Sequence, residues 1–173
     1  LTVSGLISVA GNSAISIPAA GTTLTYSGGN LNVGSHTLSI GGAGTLSNAT
    51  GSPLVLDVAD SILSLTGNGT ISGPVKLESG TLKSTGSPTV SGVLTQYYDA
   101  TIEVSTNQTL TYSGPSLSLG ANKLTLTGGG TFNNTNALVL NNADSLLSLS
   151  GILTIRDVDG TTASNSGKGI QVT

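Results

Sequence analysis

The sequence predicts an all-β fold, a parallel β-helix with three strands per coil, about 21–22 residues per coil and roughly seven coils. Three observations predict it. Helix signals are almost absent: no segment carries apolar residues at helical spacing between caps, and Thr, Ser, Gly and Val dominate. Short alternating apolar segments recur mostly every seven to nine residues, separated by turn formers such as Gly28-Gly29, Gly41-Gly42, Gly51-Ser52-Pro53, Gly86-Ser87-Pro88 and Gly128-Gly129-Gly130. One stretch is also stated twice, Thr23 to Gly28 returning as Thr109 to Gly114, 86 residues later. Twelve apolar segments fill that interval, so four coils of three strands share it, and 86/4 gives 21.5 residues per coil. A β-sandwich offers no reason for such a pitch, and its hairpins favour longer strands joined by two-residue turns.

Strand centres are expected, in order, near Ile7 and Ile15, then in successive coils near Leu24, Leu31 and Leu38; Leu46, Val55 and Leu63; Ile71, Lys76 and Leu82; Val90, Leu94 and Ile102; Leu110, Leu117 and Leu124; Phe132, Val139 and Leu147; and finally Ile155. Alternation assigns the faces. On the first face one inward apolar residue is flanked by outward hydroxyl residues: Thr23/Thr25, Thr45/Ser47, Thr70/Ser72, Thr89/Ser91 and Thr109/Thr111, followed by Thr131/Asn133 and Thr154/Arg156. The second carries inward pairs such as Leu31/Val33 and Leu54/Leu56, and the third pairs such as Leu38/Ile40 and Leu63/Leu65. Tyr26 and Tyr112 point inward, and Gln96-Tyr97-Tyr98-Asp99 reads as a bulky insertion. The chain forms one domain over 1–173, with a long repeat at about 4–90 and 91–157, an irregular loop at 157–168 and a partial coil at 169–173. Neither end shows a capping helix or a charged terminal strand, so open strand edges are expected at both. Either more solenoid follows in a parent chain or another subunit stacks there.

Composition excludes several functions. The net charge is −3 with only five Lys and Arg, too few to track a phosphate backbone, so no nucleic-acid partner is expected. No apolar run approaches the ~20 residues of a membrane-spanning helix, and no membrane insertion by this segment is expected. Without Cys there is no disulfide framework and no thiolate metal site. The chain starts at Leu1 with no signal-type segment, which reads as the start of a processed or excised polypeptide.

Candidate chemistry is sparse. Glycoside hydrolysis needs two carboxylates facing one bond at ~5–9.5 Å, but Asp57, Asp60, Glu78, Asp99, Glu103, Asp144, Asp157 and Asp159 are scattered. Asp60 and Asp144 occupy equivalent positions about four coils, ~19 Å, apart. Glu103 is expected to stack one coil from Lys83 and Lys123 as a surface ion-pair ladder. His36, the one histidine, has Asn122 as its repeat equivalent and reads as an exposed turn residue. No Ser-His-acid triad assembles, so no catalytic residue and no enzyme are expected. Asp157-Val158-Asp159-Gly160 begins like a calcium loop but lacks the downstream bidentate Glu. Asp157 and Asp159 are therefore the sole metal candidates against a polar turn, and no other cofactor is expected. N-x-[ST] sequons occur at Asn48, Asn68, Asn107 and Asn133, at a frequency expected by chance in so Asn-, Ser- and Thr-rich a chain.

The hydroxyl ladder is the most pointed surface feature. Flat ranks of Thr-x-Thr resemble ice-binding proteins, although Thr and Ser also simply suit exposed strand positions. Gly-Thr-Leu-Ser at 44–47, Gly-Thr-Ile-Ser at 69–72, Ser-Gly-Thr-Leu at 79–82 and Gly-Thr-Phe-Asn at 130–133 resemble bacterial secreted and surface adhesins. These are the autotransporter-passenger and filamentous-haemagglutinin-type β-solenoids. The resemblance spans nearly the whole chain through a generic pattern and carries over no functional residue. It implies an extracellular or cell-surface location and a non-catalytic structural or adhesive rod: a spacer, stalk, biofilm-matrix element or fibre subunit. End-to-end self-association into filaments and a surface glycan or cell-surface ligand are the partners expected. Ice binding is the alternative, and a carbohydrate-active β-helix enzyme the second.

Overall fold

The computed structural model describes residues 1–150 and the backbone of the strands Thr154–Asp157 and Gly169–Val172. Every strand pairing is parallel, and no helix occurs among the described residues. The chain winds as a three-sided β-solenoid of about seven turns. Stacked strands lie ~4.8 Å apart, which makes a rod about 35 Å long.

The first sheet joins eight strands: Thr2–Val3, Thr23–Tyr26, Thr45–Asn48, Thr70–Ile71, Thr89–Val90, Thr109–Tyr112, Thr131–Asn134 and Thr154–Asp157. The third joins eight more, from Ser13–Ile17 through Thr37–Gly42, Ile62–Leu65, Thr81–Ser84, Ala100–Val104, Lys123–Gly128 and Leu146–Ser150 to Gly169–Val172. Alternation along these strands sends Leu38, Leu63, Leu82, Ile102, Leu124 and Leu147 into the lumen, each at most 3% exposed. They belong to one continuous apolar cluster. Burying each such side chain contributes ~1.5–3 kcal/mol, so the filled lumen outweighs any single surface contact.

Coil length is less regular than the sequence spacing suggests. Register partners along the first sheet are Leu24↔Leu46, Leu46↔Ile71, Ile71↔Val90 and Val90↔Tyr112, separated by 22, 25, 19 and 22 residues. The lumen stays constant while the corners absorb the difference. Two expectations are corrected here. Val90 stacks on Tyr112 and not on Leu110, because the strand Thr109–Tyr112 reaches one inward position further than its neighbour. Ile7 is not a strand centre either; the first coil contributes Thr2–Val3, and Val3 stacks on Tyr26 as Val90 does on Tyr112.

The second sheet is discontinuous. Four strands pair in the order Leu94–Gln96, Val75–Leu77, Leu54–Leu56 and Leu31–Asn32, and the ladder resumes only between Leu117–Ser118 and Leu138–Val139. The interruption tracks the last residue of each first-sheet strand: Tyr26, Asn48, Ile71, Val90, Tyr112 and Asn134. Where that residue is Asn, Ile or Val, the next coil's second-sheet strand pairs with the one before it. Where it is Tyr, no ladder forms. The Tyr112 hydroxyl accepts the Leu94 N–H at 3.3 Å and donates to the Pro115 carbonyl at 2.6 Å. Tyr26 accepts the Ile7 N–H at 3.4 Å in the same way. A buried phenol thus satisfies an amide that would otherwise pair across the coils.

Burial pushes the Tyr112 hydroxyl above its ordinary value of 10.0, against a smaller downward pull from the Leu94 amide. Below pH 10 the group is neutral in folded and unfolded chains alike and adds no pH dependence. Above it the unfolded chain ionises first, so stability falls as pH rises beyond 10. Equilibrium unfolding between pH 8 and 11 should show an alkaline loss in the native chain that shrinks in Tyr112→Phe.

Two corners are built for contact. Gly73, Gly92 and Gly114 stack in register, and a Cβ on Gly92 or Gly114 would come within 3.0 Å of the carbonyl oxygen of the glycine below. The corner between second and third sheets uses side chains instead. Asp57 accepts the Gly34 N–H at 2.8 Å, and the Ser61 hydroxyl donates to the Gly34 carbonyl at 2.8 Å. One long repeat later, Asn141 accepts the Gly120 N–H at 3.0 Å and Ser145 donates to the Gly120 carbonyl. Gly34 and Gly120 both have φ of 59°, the left-handed region that glycine tolerates.

Candidate functional site

The hydroxyl residues of the first face point away from the lumen, between half-buried and exposed. Register sorts them into two files. One runs Thr23–Thr45–Thr70–Thr89–Thr111 and then passes to Asn133. The other begins Thr25–Ser47, and the bonds of the Ser72, Ser91 and Ser113 amides to the carbonyls of Leu46, Ile71 and Val90 continue it. The expected rank of Thr109/Thr111 upon Thr89/Ser91 is therefore shifted by two residues. Thr111 stands on Thr89, whereas Thr109 starts a separate file with Thr131, its N–H bonded to the Ser87 hydroxyl at 3.1 Å.

The carboxylates are structural where their partners are described. Asp57 closes its turn, and Asp99 accepts the Lys123 N–H at 2.8 Å just as Asn12 accepts the Thr37 N–H at 2.8 Å. Glu103 pairs with Lys83 at 2.9 Å, one coil away and in register. Lys123 does not join them: Glu103 stacks on Thr127, four residues further along. Asp60 and Asp144 are exposed in equivalent turns. No group of three or more His, Cys, Asp or Glu gathers among the described residues. His36 lies half-buried in its turn, less exposed than expected, its N–H bonded to the Gly34 carbonyl at 2.8 Å. Asp159 falls outside the described residues, and Asp157 is described only as backbone of its strand.

Both side chains of the Lys83–Glu103 pair are about one-third exposed. A double-mutant cycle with Lys83→Ala and Glu103→Ala should give a coupling under ~1 kcal/mol that shrinks in 1 M salt. Among the sequons, Asn48 is 4% exposed and its amide donates to the carbonyls of Ser52 and Pro74, so the folded chain offers no acceptor there. Asn68 and Asn107 are exposed.

A groove that the sequence did not reveal crosses the corner between second and third sheets. The link between Leu54–Leu56 and Ile62–Leu65 takes five residues, and the next, between Val75–Leu77 and Thr81–Ser84, takes three. The link after that, between Leu94–Gln96 and Ala100–Val104, also takes three, and a shallow hollow of about 190 Å³ lies across these corners, lined by Ala59, Ser79, Gly80, Thr81, Asp99, Ala100, Thr101, Lys123 and Thr125. Tyr97 and Tyr98 immediately precede the lining residue Asp99. The insertion expected at Gln96-Tyr97-Tyr98-Asp99 is corrected: Gln96 ends a second-sheet strand, and Tyr97, Tyr98 and Asp99 form a three-residue corner as short as the one before it.

Comparison with family models, with curated proteins and with solved structures returns no match to this chain.

Proposed function

We propose that the chain is a non-catalytic structural and adhesive rod of the extracellular space or cell surface, acting as spacer, stalk or fibre subunit. The observation that carries this reading is the division of labour along the solenoid. Apolar side chains fill the lumen, and the carboxylates Asp57, Asp99 and Glu103 are spent on holding coils together. The Gly-Thr-Leu-type strands that resemble secreted adhesins point the same way. At the first coil, Val3, Ile7, Val9, Ile15 and Leu24 are only partly buried, and the strands Thr2–Val3, Ser13–Ile17 and Leu31–Asn32 are sheet edges. A second copy stacked on these edges would continue the ladders; contacts of that kind do not close, and they build filaments.

Electron microscopy with sedimentation of the purified chain tests the filament form. Concentration-dependent fibres about one solenoid wide are expected; a strictly monomeric short rod at high concentration overturns it. A second reading draws on the in-register file Thr23–Thr45–Thr70–Thr89–Thr111, whose regular methyl and hydroxyl groups suit ordering of water at an ice surface. Thermal hysteresis that vanishes in Thr70→Lys supports it, and no hysteresis in the parent chain ends it.

A further inference from the structure

The chain has five aromatic residues, four Tyr and one Phe. Tyr26, Tyr112 and Phe132 are at most 1% exposed, whereas Tyr97 and Tyr98, adjacent in sequence, are 48% and 66% exposed. On a lateral surface made of Thr, Ser, Asn and Gly, this pair is a concentrated apolar feature, and such features mark contact sites.

The pair is held in place. The Tyr97 N–H bonds to the Leu77 carbonyl at 2.9 Å. The Gln96 amide, on a side chain 7% exposed, donates to the Tyr98 carbonyl at 3.0 Å and to the Lys123 carbonyl at 2.8 Å, bolting this corner to the next coil. Lys76 places its ammonium 5.6 Å from the centre of the Tyr97 ring. Asp99, next in sequence, lines the hollow with Lys123 and the hydroxyl residues Ser79, Thr81, Thr101 and Thr125.

We propose that Tyr97 and Tyr98, together with the hollow that adjoins them through Asp99, bind one unit of a neutral glycan. The proposal deepens the adhesive-rod reading and rests on it. A pyranose ring has an apolar C–H face, which stacks on a phenol ring, and a girdle of hydroxyls, which exchange hydrogen bonds with threonine and serine hydroxyls. Asp99, whose Oδ1 accepts the Lys123 N–H, and Lys123 line the hollow with opposite formal charges, so neither a polyanionic nor a polycationic chain is favoured. At about 190 Å³ the hollow is smaller than the ~300–1,000 Å³ pockets that enclose drug-sized ligands, which fits a single sugar unit bound from one side. Affinity per site is expected near 1 mM, raised by avidity when many copies share one surface.

The test uses the full chain and soluble hexaoses of β-linked glucose, N-acetylglucosamine and mannose, with heparin and polygalacturonate as charged controls. Nuclear magnetic resonance titration should show at least one neutral hexaose shifting the signals of Tyr97, Tyr98 and Thr101. Tyr98→Ala should weaken that binding at least tenfold without moving the unfolding midpoint, since the ring is largely exposed, and Tyr98→Phe should retain it. The proposal is overturned by no shifts with any neutral hexaose at about 10 mM, by binding that survives the double variant Tyr97→Ala/Tyr98→Ala, or by preference for the charged polymers. Rod and filament are read separately by microscopy, so loss of sugar binding with filaments intact removes the site alone, and monomeric rods that bind sugar remove the filament alone.

Discussion

Gly92→Ala should destabilise the chain by about 3 kcal/mol or more, a large loss for one methyl group. The added Cβ would lie within 3.0 Å of the Gly73 carbonyl oxygen, and also of the Gly73 carbonyl carbon. Both are backbone atoms of the coil below. Neither can swing aside as a side-chain end could, so the coils must separate and weaken the ladders on either flank. Urea unfolding of the variant, with Gly51→Ala as control, measures the effect. Gly51 has nothing within 4 Å of a built Cβ, and its substitution should change stability by less than about 1 kcal/mol. Equal midpoints for the two variants would mean that the corner tolerates a wider coil spacing than the stacked glycines imply.

Replacing Tyr112 should produce a graded series. Tyr112→Ala removes a ring that is 1% exposed and should cost about 3–5 kcal/mol. Tyr112→Phe keeps the ring but leaves the Leu94 N–H and the Pro115 carbonyl without their partner, which should cost about 1–3 kcal/mol. Tyr112→Asn is the informative case, because Asn48 and Asn134 close equivalent corners where the second-sheet ladder is intact. It should be less destabilising than Tyr112→Ala, with the strand Leu94–Gln96 now pairing with Leu117–Ser118. Hydrogen exchange at Leu94 separates the variants: slow in the native chain, fast in Tyr112→Phe and slow again in Tyr112→Asn. A fast Leu94 amide in the Asn variant would show that the tyrosine fills a gap it does not cause.

The architecture was legible because its determinants are local. Every third apolar segment, at Leu24, Leu46, Ile71, Val90, Leu110, Phe132 and Ile155, does lie in a first-sheet strand, since two-residue alternation and glycine-rich turns fix strands without reference to their neighbours. Register between coils was less legible. It depends on how many residues each corner spends, and so Thr109 was set beside Thr89 where Thr111 belongs, and Lys123 beside Glu103 where Thr127 belongs. Ile7 has the apolar pattern of a strand but lost its ladder partner to the Tyr26 hydroxyl, a competition between side chain and backbone that sequence pattern does not record. The hollow next to Asp99 was hidden for the same reason as the register: its lining comes from residues of four successive coils, which only the stacking brings together.

The interrupted second sheet also gives the rod a mechanical direction. A pull along the axis is carried by interstrand hydrogen bonds in the first and third sheets, which run unbroken through eight strands each. On the second side, tension between Leu94–Gln96 and Leu117–Ser118 passes through packing and the Tyr112 phenol instead of a ladder. Under load the solenoid should open first at that seam and bow with the second face on its outer curve. A solenoid built this way should yield by bending at that coil before it unravels from an end.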